Sequence, residues 1–421
     1  MVVVTGRRRV GKTTLILKAL ENRNATFVYC FVPRIASERD LAGLIATSLT
    51  EQLAVKFPPT LTTLAEAVAY LLELFKARPM VLVIDECQDL EGIASNFWSQ
   101  LQKVWGLGKN GAKLLLVMSG SLSSRLERIF GNRSDPLYGR NDVLMTLQPF
   151  STETKRDVFA LEGGDAGPGD FLLLYALTGG VARYVEYFVD NEAMTGKAML
   201  QLVFSTEGGW FRSEGDLMLA DDFRGSSFVY LEILQKIAGG ATKRSDIQDN
   251  ITQDVSAYLE RLEELFGIVS RVNPLLKEGQ ARQVRYCIAD TYFRFWLRFV
   301  LTVQMQALAE VDMWPRMIMF AEAALPTFLG NNLKQWFVRK AIESAQWNRV
   351  GGWWDGKGQN EIDLVAINKE TRKVLIGEVK TNPQKFEEAK LRLKAQEFLK
   401  EQQLLGYDVE LRGLFVEDML D

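Results

Sequence analysis

Eight consecutive residues near the start of the chain have the types and spacing of a phosphate-binding loop. They read Gly6-Arg7-Arg8-Arg9-Val10-Gly11-Lys12-Thr13, a full match to GxxxxGK[ST], and Thr14 follows them. Glycines let backbone N–H groups wrap a phosphate, and the lysine of such a loop reaches the β- and γ-phosphates. The Thr13 hydroxyl is the oxygen that these loops offer to Mg²⁺. The pattern predicts a nucleoside triphosphate site at residues 6–14.

A pair of carboxylates, Asp85 and Glu86, directly follows the apolar run Val81-Leu82-Val83-Ile84. Four apolar residues in succession are typical of a parallel strand that is buried on both faces. The carboxyl end of such a strand lies at the edge of the sheet where ligands bind. We therefore expect Asp85 to hold the water shell of Mg²⁺. Glu86 is placed to polarise an attacking water, which favours hydrolysis over binding alone.

Two other side chains are candidates for the same site. Ser119 ends the apolar run at residues 114–118, where its hydroxyl could sense the γ-phosphate, although turn formation explains it equally well. Arg140 could bring positive charge to the transition state, from the same chain or from a second copy, or it could be a surface arginine. The loop arginines Arg7, Arg8 and Arg9 could face nucleic acid or simply be solvated.

A second group of candidate residues lies near the other end of the chain. Glu361-Ile362-Asp363 opens one β run, and Ile376-Gly377-Glu378-Val379-Lys380 closes the next. In a hairpin these two strands would bring Asp363, Glu378 and Lys380 to one end of the sheet, because residues two apart share a face. Two carboxylates suit Mg²⁺ or Mn²⁺, and a lysine can activate water against a phosphodiester. The spacing D…ExK is a weak signal by itself.

The composition excludes several other kinds of chemistry. The 421 residues include no histidine, so no Ser-His-Asp or Cys-His hydrolase and no His-ligated metal is expected. The three cysteines, Cys30, Cys87 and Cys287, form no CxxC pair and indicate neither zinc nor a disulfide framework. With a net charge of −3, the chain would need a local basic patch to bind nucleic acid.

Neither a leader nor a membrane span is predicted. Met1 runs directly into Val2-Val3-Val4, without a charged region or a cleavage site. The apolar stretch at residues 293–320 is interrupted by charges and falls short of the about 18 uncharged residues that a span needs. We therefore expect a cytoplasmic protein with no membrane partner.

The loop and the carboxylate pair need a parallel sheet to bring them together. Over residues 1–150, strand-like runs alternate with helical patterns, which predicts an α/β fold of the P-loop NTPase type. The predicted strands are residues 2–5, 26–32, 80–85 and 113–118. The predicted helices are residues 12–21, 38–53, 61–76 and 93–105. We expect residues 1–150 to be a P-loop ATPase core.

Most of the remaining chain is predicted to be helical. Residues 151–222 have a helical pattern broken at residues 163–169 and at Gly179-Gly180, and are assigned to a helical lid. Residues 291–329 form an aromatic-rich helical connector. Residues 330–421 are predicted to form a helix, two strands, a helix and a strand.

Residues 223–290 are predicted to form a winged helix, because three helical segments precede strands at residues 268–272 and 284–288. The third helix carries more acidic than basic residues, Asp254, Glu260, Glu263 and Glu264 against Arg261. Phosphates would repel such a helix. The wing carries the basic residues Arg271, Lys277, Arg282 and Arg285. DNA contact through the wing, and docking within the chain or onto a protein partner, both stay open.

The segments GRRRVGKTTL, VLVIDECQDL and GGVARYVEYF resemble the prokaryotic AAA-like ATPases often called archaeal-type ATPases, which are related to the STAND and origin-recognition clades. One branch of these carries a winged helix and then a domain that resembles PD-(D/E)XK restriction endonucleases. Residues 286–296 and 351–355 look like that branch. The resemblance covers essentially the whole chain and implies ATP and Mg²⁺ as ligands. It also implies that residues 330–421 are a nuclease-like α/β domain with Asp363, Glu378 and Lys380 in its site.

Three positions depart from the pattern of these relatives. The phosphate loop begins at residue 6, whereas relatives carry a preceding segment that helps to contact adenine. Ala182 stands where relatives tend to have proline. Lys334 stands where relatives generally have a glutamate on the first helix of the last domain. The loss of that acid predicts reduced metal affinity at Asp363 and Glu378.

The sequence thus predicts a Mg-ATP-hydrolysing ATPase coupled to a nuclease-like domain that acts on DNA, with a second copy or a protein partner. The alternative is a nucleotide-dependent switch or scaffold whose nuclease-like domain is catalytically inert. DNA-stimulated turnover would favour the first function, and partner-dependent turnover without cleavage would favour the second.

Overall fold

The computed structural model describes residues 1–33, 35–53, 60–121, 126, 129–131, 135–222, 228–264, 266–277, 283–356 and 360–421. The contacts between residues divide the chain into two units, Met1–Pro149 and Phe150–Asp421. Each unit has its own hydrophobic core.

A five-stranded sheet with the order β2-β3-β4-β1-β5 forms the centre of the first unit. Its strands are β1 (Val2–Thr5), β2 (Phe27–Phe31), β3 (Met80–Asp85), β4 (Leu114–Gly120) and β5 (Val143–Thr146). All the pairings are parallel. The helices are α1 (Lys12–Glu21), α2 (Glu38–Leu53), α3 (Leu64–Leu74), α4 (Leu90–Ile93) and α5 (Phe97–Gly108). The predicted α/β fold with a parallel sheet is confirmed.

Local interactions explain where two of these helices differ from the prediction. The third helix begins at Leu64 rather than at residue 61, because Thr63 and Glu66 form a capping box that sets the first turn. The helix predicted at residues 93–105 begins at Phe97 instead, because Ala94 has a non-helical backbone and ends the short helix α4 at Ile93. Strand β5, at the edge of the sheet, is not predicted by the sequence analysis.

Five helices begin the second unit: α6 (Thr152–Glu162), α7 (Pro168–Thr178), α8 (Ala182–Asp190), α9 (Gly196–Val203) and α10 (Gly209–Asp222). The predicted breaks fall between α6 and α7 and between α7 and α8. Gly179 and Gly180 have φ values of +61° and +79°. Glycine adopts this left-handed backbone without a steric penalty, which allows the chain to turn sharply after α7.

Three helices and a small sheet follow: α11 (Phe228–Gly239), α12 (Arg244–Gln248), α13 (Ser256–Glu264), β6 (Val269–Val272) and β7 (Arg285–Ile288). The two strands pair antiparallel. The chain continues through α14 (Thr291–Phe299), α15 (Val303–Ala309) and α16 (Trp314–Glu343). Helix α16 runs through the boundary that was predicted between residues 329 and 330. Within the described residues, no helix is long and apolar enough to cross a membrane.

A four-stranded mixed sheet with the order β11-β10-β9-β8 ends the chain. Its elements are β8 (Arg349–Trp354), β9 (Glu361–Asn368), β10 (Lys373–Val379), α17 (Glu388–Glu401) and β11 (Asp408–Leu414). Strands β10 and β11 pair parallel, and the other pairs are antiparallel. Strand β8 is an addition to the predicted order of elements, and its pairing with β9 shifts register between Gly351 and Trp353.

Candidate functional site

The predicted phosphate loop joins the carboxyl end of β1 to the first turn of α1. Gly6 and Gly11 have φ values of +145° and +103°, which residues with a side chain rarely adopt. A Cβ atom at Gly6 would lie 2.5 Å from the carbonyl oxygen of Leu147, so only glycine fits there. Because α1 starts at Lys12, the unpaired N–H groups of its first turn and its helix dipole favour an anion at the loop.

Lys12 is buried within this loop, with 5% of its surface exposed. Its Nζ atom donates hydrogen bonds to the carbonyl oxygens of Gly6 and Arg7, each at 3.1 Å. Burial lowers the pKa of Lys12, while the negative charges of Glu86 and Asp85 partly oppose that shift. The loop therefore holds an ammonium group among its own backbone atoms.

Hydrogen-bond donors from three elements converge on Asp85 at the end of β3. The Thr13 hydroxyl and the Tyr29 hydroxyl donate to Oδ2 at 2.6 and 2.7 Å. The Ser119 hydroxyl and the backbone N–H of Glu86 donate to Oδ1. Burial raises the pKa of Asp85, but the hydrogen bonds from Ser119, Thr13 and Tyr29 outweigh it, so the pKa is lowered overall. The carboxylate stays ionised beside the Thr13 hydroxyl.

Glu86 is held next to Asp85 by two side chains that are not among the predicted site residues. Its Oε2 atom accepts hydrogen bonds from Gln88 Nε2 at 2.5 Å and from the Ser121 hydroxyl at 3.2 Å. Gln88 Oε1 in turn accepts the backbone N–H of Ser121 at 3.3 Å. These hydrogen bonds fix the Oε2 atom of Glu86 beside Asp85.

The structure brings Lys12, Thr13, Asp85, Glu86 and Ser119 together at the carboxyl edge of the sheet. The hydroxyl of Ser119, which was predicted to sense the γ-phosphate, is fully buried against Asp85. The other predicted loop residues lie around this cluster, with Val10 buried, Thr14 exposed and Arg7, Arg8 and Arg9 partly buried.

Arg140 does not belong to this cluster. It lies just before β5, which runs parallel to β1 and begins at the amino edge of the sheet. Its guanidinium group is 3.7 Å from the Cβ position of Gly106 in α5. Since the phosphate loop lies at the opposite edge, a contribution of Arg140 within its own chain is inconsistent with the fold. Its contribution to a second copy stays a prediction.

The second predicted site lies at one end of the C-terminal sheet. Asp363 in β9 and Glu378 in β10, here called the C-terminal carboxylate pair, are neighbours, because Asp363 Oδ2 accepts the N–H of Val379 at 2.9 Å. Lys380 follows β10 and donates to Glu378 Oε1 at 2.8 Å. The structure therefore brings the three residues of the D…ExK pattern to one place.

Lysines already bind both members of the C-terminal carboxylate pair. The Nζ atom of Lys334 in α16 is 2.5 Å from Asp363 Oδ1, and Lys394 in α17 donates to Glu378 Oε2 at 2.9 Å. Burial raises the pKa of Glu378, but the bonds from Lys380 and Lys394 lower it more. Among the described residues, no group of three or more Cys, Asp or Glu could hold a metal ion. This donor set does not fit Mg²⁺ or Mn²⁺.

The basic residues of β7 and of the segment after β6 contact the C-terminal sheet and its helix. Arg285 pairs with Glu361 at 2.9 Å, and its guanidinium carbon lies 4.1 Å from the centre of the Trp354 ring. Lys277 is 8% exposed and pairs with Glu401 at 2.7 Å. These cations are directed toward the protein, which favours docking within the chain over contact with DNA.

Arg271 in β6 is also paired, with Glu263 and Glu264 of the acidic helix α13. The remaining basic residue of the predicted wing, Arg282, lies outside the described residues. The acidic helix is therefore partly neutralised by its own neighbouring strand.

Comparisons with known proteins agree with the phosphate loop and the parallel sheet. The family model of an ATPase domain predominantly from Archaea matches residues 1–188. A second model, described as archaeal and bacterial proteins of unknown function, matches residues 296–391. An uncharacterised protein of Methanocaldococcus jannaschii is 25% identical over 390 residues, which cover 90% of this chain and 82% of the relative.

Two solved structures align with most of the chain. A Walker-type ATPase of Pyrococcus abyssi aligns with a TM-score of 0.50 and 20% identity, covering 70% of this chain and 90% of that chain. The ORC2 protein of Aeropyrum pernix, in ADPNP–ADP complexes, aligns with a TM-score of 0.44 and 16% identity, covering 77% and 89%. Residues 1–188 are therefore an archaeal-type P-loop ATPase domain, which the chain joins to a C-terminal domain found in other archaeal and bacterial proteins.

Proposed function

We propose that this ATPase binds and hydrolyses Mg-ATP at the loop of residues 6–14. The observation that carries the proposal is the 2.6 Å hydrogen bond between the Thr13 hydroxyl and Asp85. It joins the phosphate loop to the carboxylate strand and puts two oxygen ligands side by side, which suits Mg²⁺. The ammonium of Lys12 and the first turn of α1 lie next to them.

Each residue has a separate task in this proposal. Thr13 and Asp85 would hold Mg²⁺, which neutralises charge on the β- and γ-phosphates when bound. Lys12 and the N–H groups of the loop bind the same phosphates. Glu86 orients the attacking water, and the oxygen that accepts its proton is Oε1, because Gln88 and Ser121 bind Oε2.

Two substitutions test the assignment. Lys12→Ala should abolish tight ATP binding, because the phosphates lose the only ammonium of the loop. Glu86→Gln should retain binding and lose at least about 100-fold in turnover, because an amide is a poor proton acceptor. Binding is measured with a fluorescent ATP analogue and turnover by phosphate release. Lys18→Ala, an exposed position on the same helix, is the matched control. If both site variants hydrolyse ATP like the wild type, the proposal fails.

A nucleotide-dependent switch or scaffold is the better-supported role for the rest of the chain. DNA cleavage would require a metal ion at Asp363 and Glu378. Lys334 and Lys394 bind these two carboxylates instead, which favours a role without cleavage. We assign α6–α10 to a helical lid and α11–β7 to a winged helix that docks within the chain. DNA remains the proposed partner of the ATPase, and a second copy or another protein is the alternative. Metal binding at Asp363 distinguishes a cutting domain from a binding one.

A further inference from the structure

We propose that the Lys334 ammonium is the resident cation of the C-terminal carboxylate pair: it occupies the place of a divalent metal ion, so that no such ion binds there. The inference is independent of ATP hydrolysis, because the phosphate loop and the carboxylate pair lie in different units of the chain.

The closest contact of Lys334 is with a buried charge. Its Nζ atom lies 2.5 Å from Asp363 Oδ1, and the side chain of Asp363 is only 4% exposed. A buried carboxylate needs a compensating charge, since its removal from water is unfavourable. Glu361, at 3.6 Å, is a second acidic neighbour of the same ammonium. Lys334 therefore supplies the compensating positive charge that a metal ion supplies at other buried carboxylate pairs.

Lys334 remains charged in this position. Burial lowers its pKa, but the charge of Asp363, the hydrogen bond to it and the charges of Glu361 and Glu378 raise it more. The pKa is therefore higher than that of an ordinary lysine.

The other carboxylate oxygens are also engaged. Asp363 Oδ2 accepts the N–H of Val379, and the two oxygens of Glu378 accept hydrogen bonds from Lys380 and Lys394. A metal ion would have to replace these donors and lie next to their positive charges. Like charges at such short range repel, so the exchange is unfavourable.

Packing of α16 keeps Lys334 at this place. Its neighbours Leu333, Trp336 and Phe337 are buried in the core of the second unit. A helix that is anchored on both sides of a residue cannot rotate to move that residue away. The helix therefore holds the Lys334 side chain, which is 38% exposed, beside the carboxylate pair.

The test is titration of Mn²⁺ into the full-length protein, without nucleotide, followed by calorimetry. We expect the isotherms of the wild type and of Asp363→Asn to coincide. Lys334→Glu should gain one Mn²⁺ site, about tenfold or more tighter than any wild-type binding there, and Asp363→Asn should remove it in the double variant. Lys390→Glu, an exposed change of equal charge in the same domain, should gain nothing.

Two results would overturn the proposal. One is wild-type Mn²⁺ binding that disappears in Asp363→Asn. The other is a folded Lys334→Glu protein, with unchanged circular dichroism and ATP hydrolysis, that gains no site. If Lys334→Glu does not fold, Lys334→Gln removes the charge without adding an acid and should still bind Mn²⁺ more tightly than the wild type. Failure of the ATPase assignment would instead be seen in Lys12→Ala and Glu86→Gln, with the metal titrations unaffected.

Discussion

Gln88 lies two residues after Glu86 and shares the Oε2 atom of that carboxylate with Ser121. We expect Gln88→Ala to reduce kcat for ATP hydrolysis by up to about 100-fold, because a carboxylate that is free to rotate no longer directs Oε1 at water. The KM for ATP should change little, since Gln88 has no part in the loop. Gln88→Asn should not restore the rate fully, because its amide is one carbon shorter.

Steady-state kinetics separate this positioning role from a purely structural one. Gln100→Ala, an exposed glutamine on α5, is the control for the loss of an amide. A rise in KM with an unchanged kcat would contradict the positioning role of Gln88.

Lys155 in α6 makes stability depend on pH. Burial lowers its pKa to about 8 from the ordinary value of 10.5, and Glu343 partly opposes the shift. Between pH 8 and pH 10.5 the unfolded chain binds more protons than the folded one, so the free energy of unfolding should rise with pH across this window. The rise is at most about 3 kcal/mol, because the aromatic rings of Tyr175 and Trp336 stabilise the charged form.

Urea unfolding of the wild type and of Lys155→Met at several pH values between 7 and 10.5 measures this effect as a difference. Methionine has a similar length and no charge, so the variant should lack the rise. Parallel pH curves for the two proteins would show that Lys155 is not the titrating group.

At this scale the sequence predicts only what lies within a short motif. Lys12, Thr13, Asp85 and Glu86 belong to two local patterns whose chemistry depends on neighbours along the chain. Tyr29, Ser121 and Lys394 reach the same sites from other strands and helices. Their contacts depend on strand pairing and helix packing, for which a single sequence has no signature.

Among the elements, β7 contacts the C-terminal sheet through Arg285. Arg285→Ala removes the pair with Glu361 and the ring contact with Trp354, which together should lower the free energy of unfolding by about 1–2 kcal/mol. Urea unfolding monitored by tryptophan fluorescence measures this. Arg392→Ala, in an exposed ion pair within α17, should cost less than about 0.5 kcal/mol.

DNA binding by Arg285→Ala and Arg392→Ala tests separately whether Arg285 contacts DNA. Because Arg285 is directed toward the protein, we expect no change in the salt dependence of DNA affinity. A weaker affinity with a flatter salt dependence, at unchanged stability, would instead identify Arg285 as a phosphate contact.

The order of most elements could be predicted because buried parallel strands have uninterrupted apolar runs, as in β3, where all six residues are buried. Two strands, β5 and β8, could not be predicted from the sequence, and each has a physical reason. All four residues of β5 are exposed at a sheet edge, so they have no pattern of burial. Strand β8 contains Gly351-Gly352, which lowers its intrinsic preference for extended structure.

Over the whole molecule, the sequence indicates an ATPase part and a later carboxylate site, and the contacts between residues divide the chain after Pro149 into two units. The boundary predicted near residue 330 lies inside α16. The composition of the chain changes there, from an aromatic-rich segment to strand patterns, but the helical backbone continues through that point. A change in composition reflects what a segment packs against and does not show where a helix ends.

Helix α16 has a mechanical consequence. At 30 residues, with Pro326 inside it, the helix is about 45 Å long, and its last turn contacts α6, because Glu343 accepts the N–H of Thr152 at 2.7 Å. Lys334 lies nine residues earlier, about 14 Å away along the axis and also after Pro326. A force on the start of α6 would therefore act on the same helical segment that carries the Lys334–Asp363 pair.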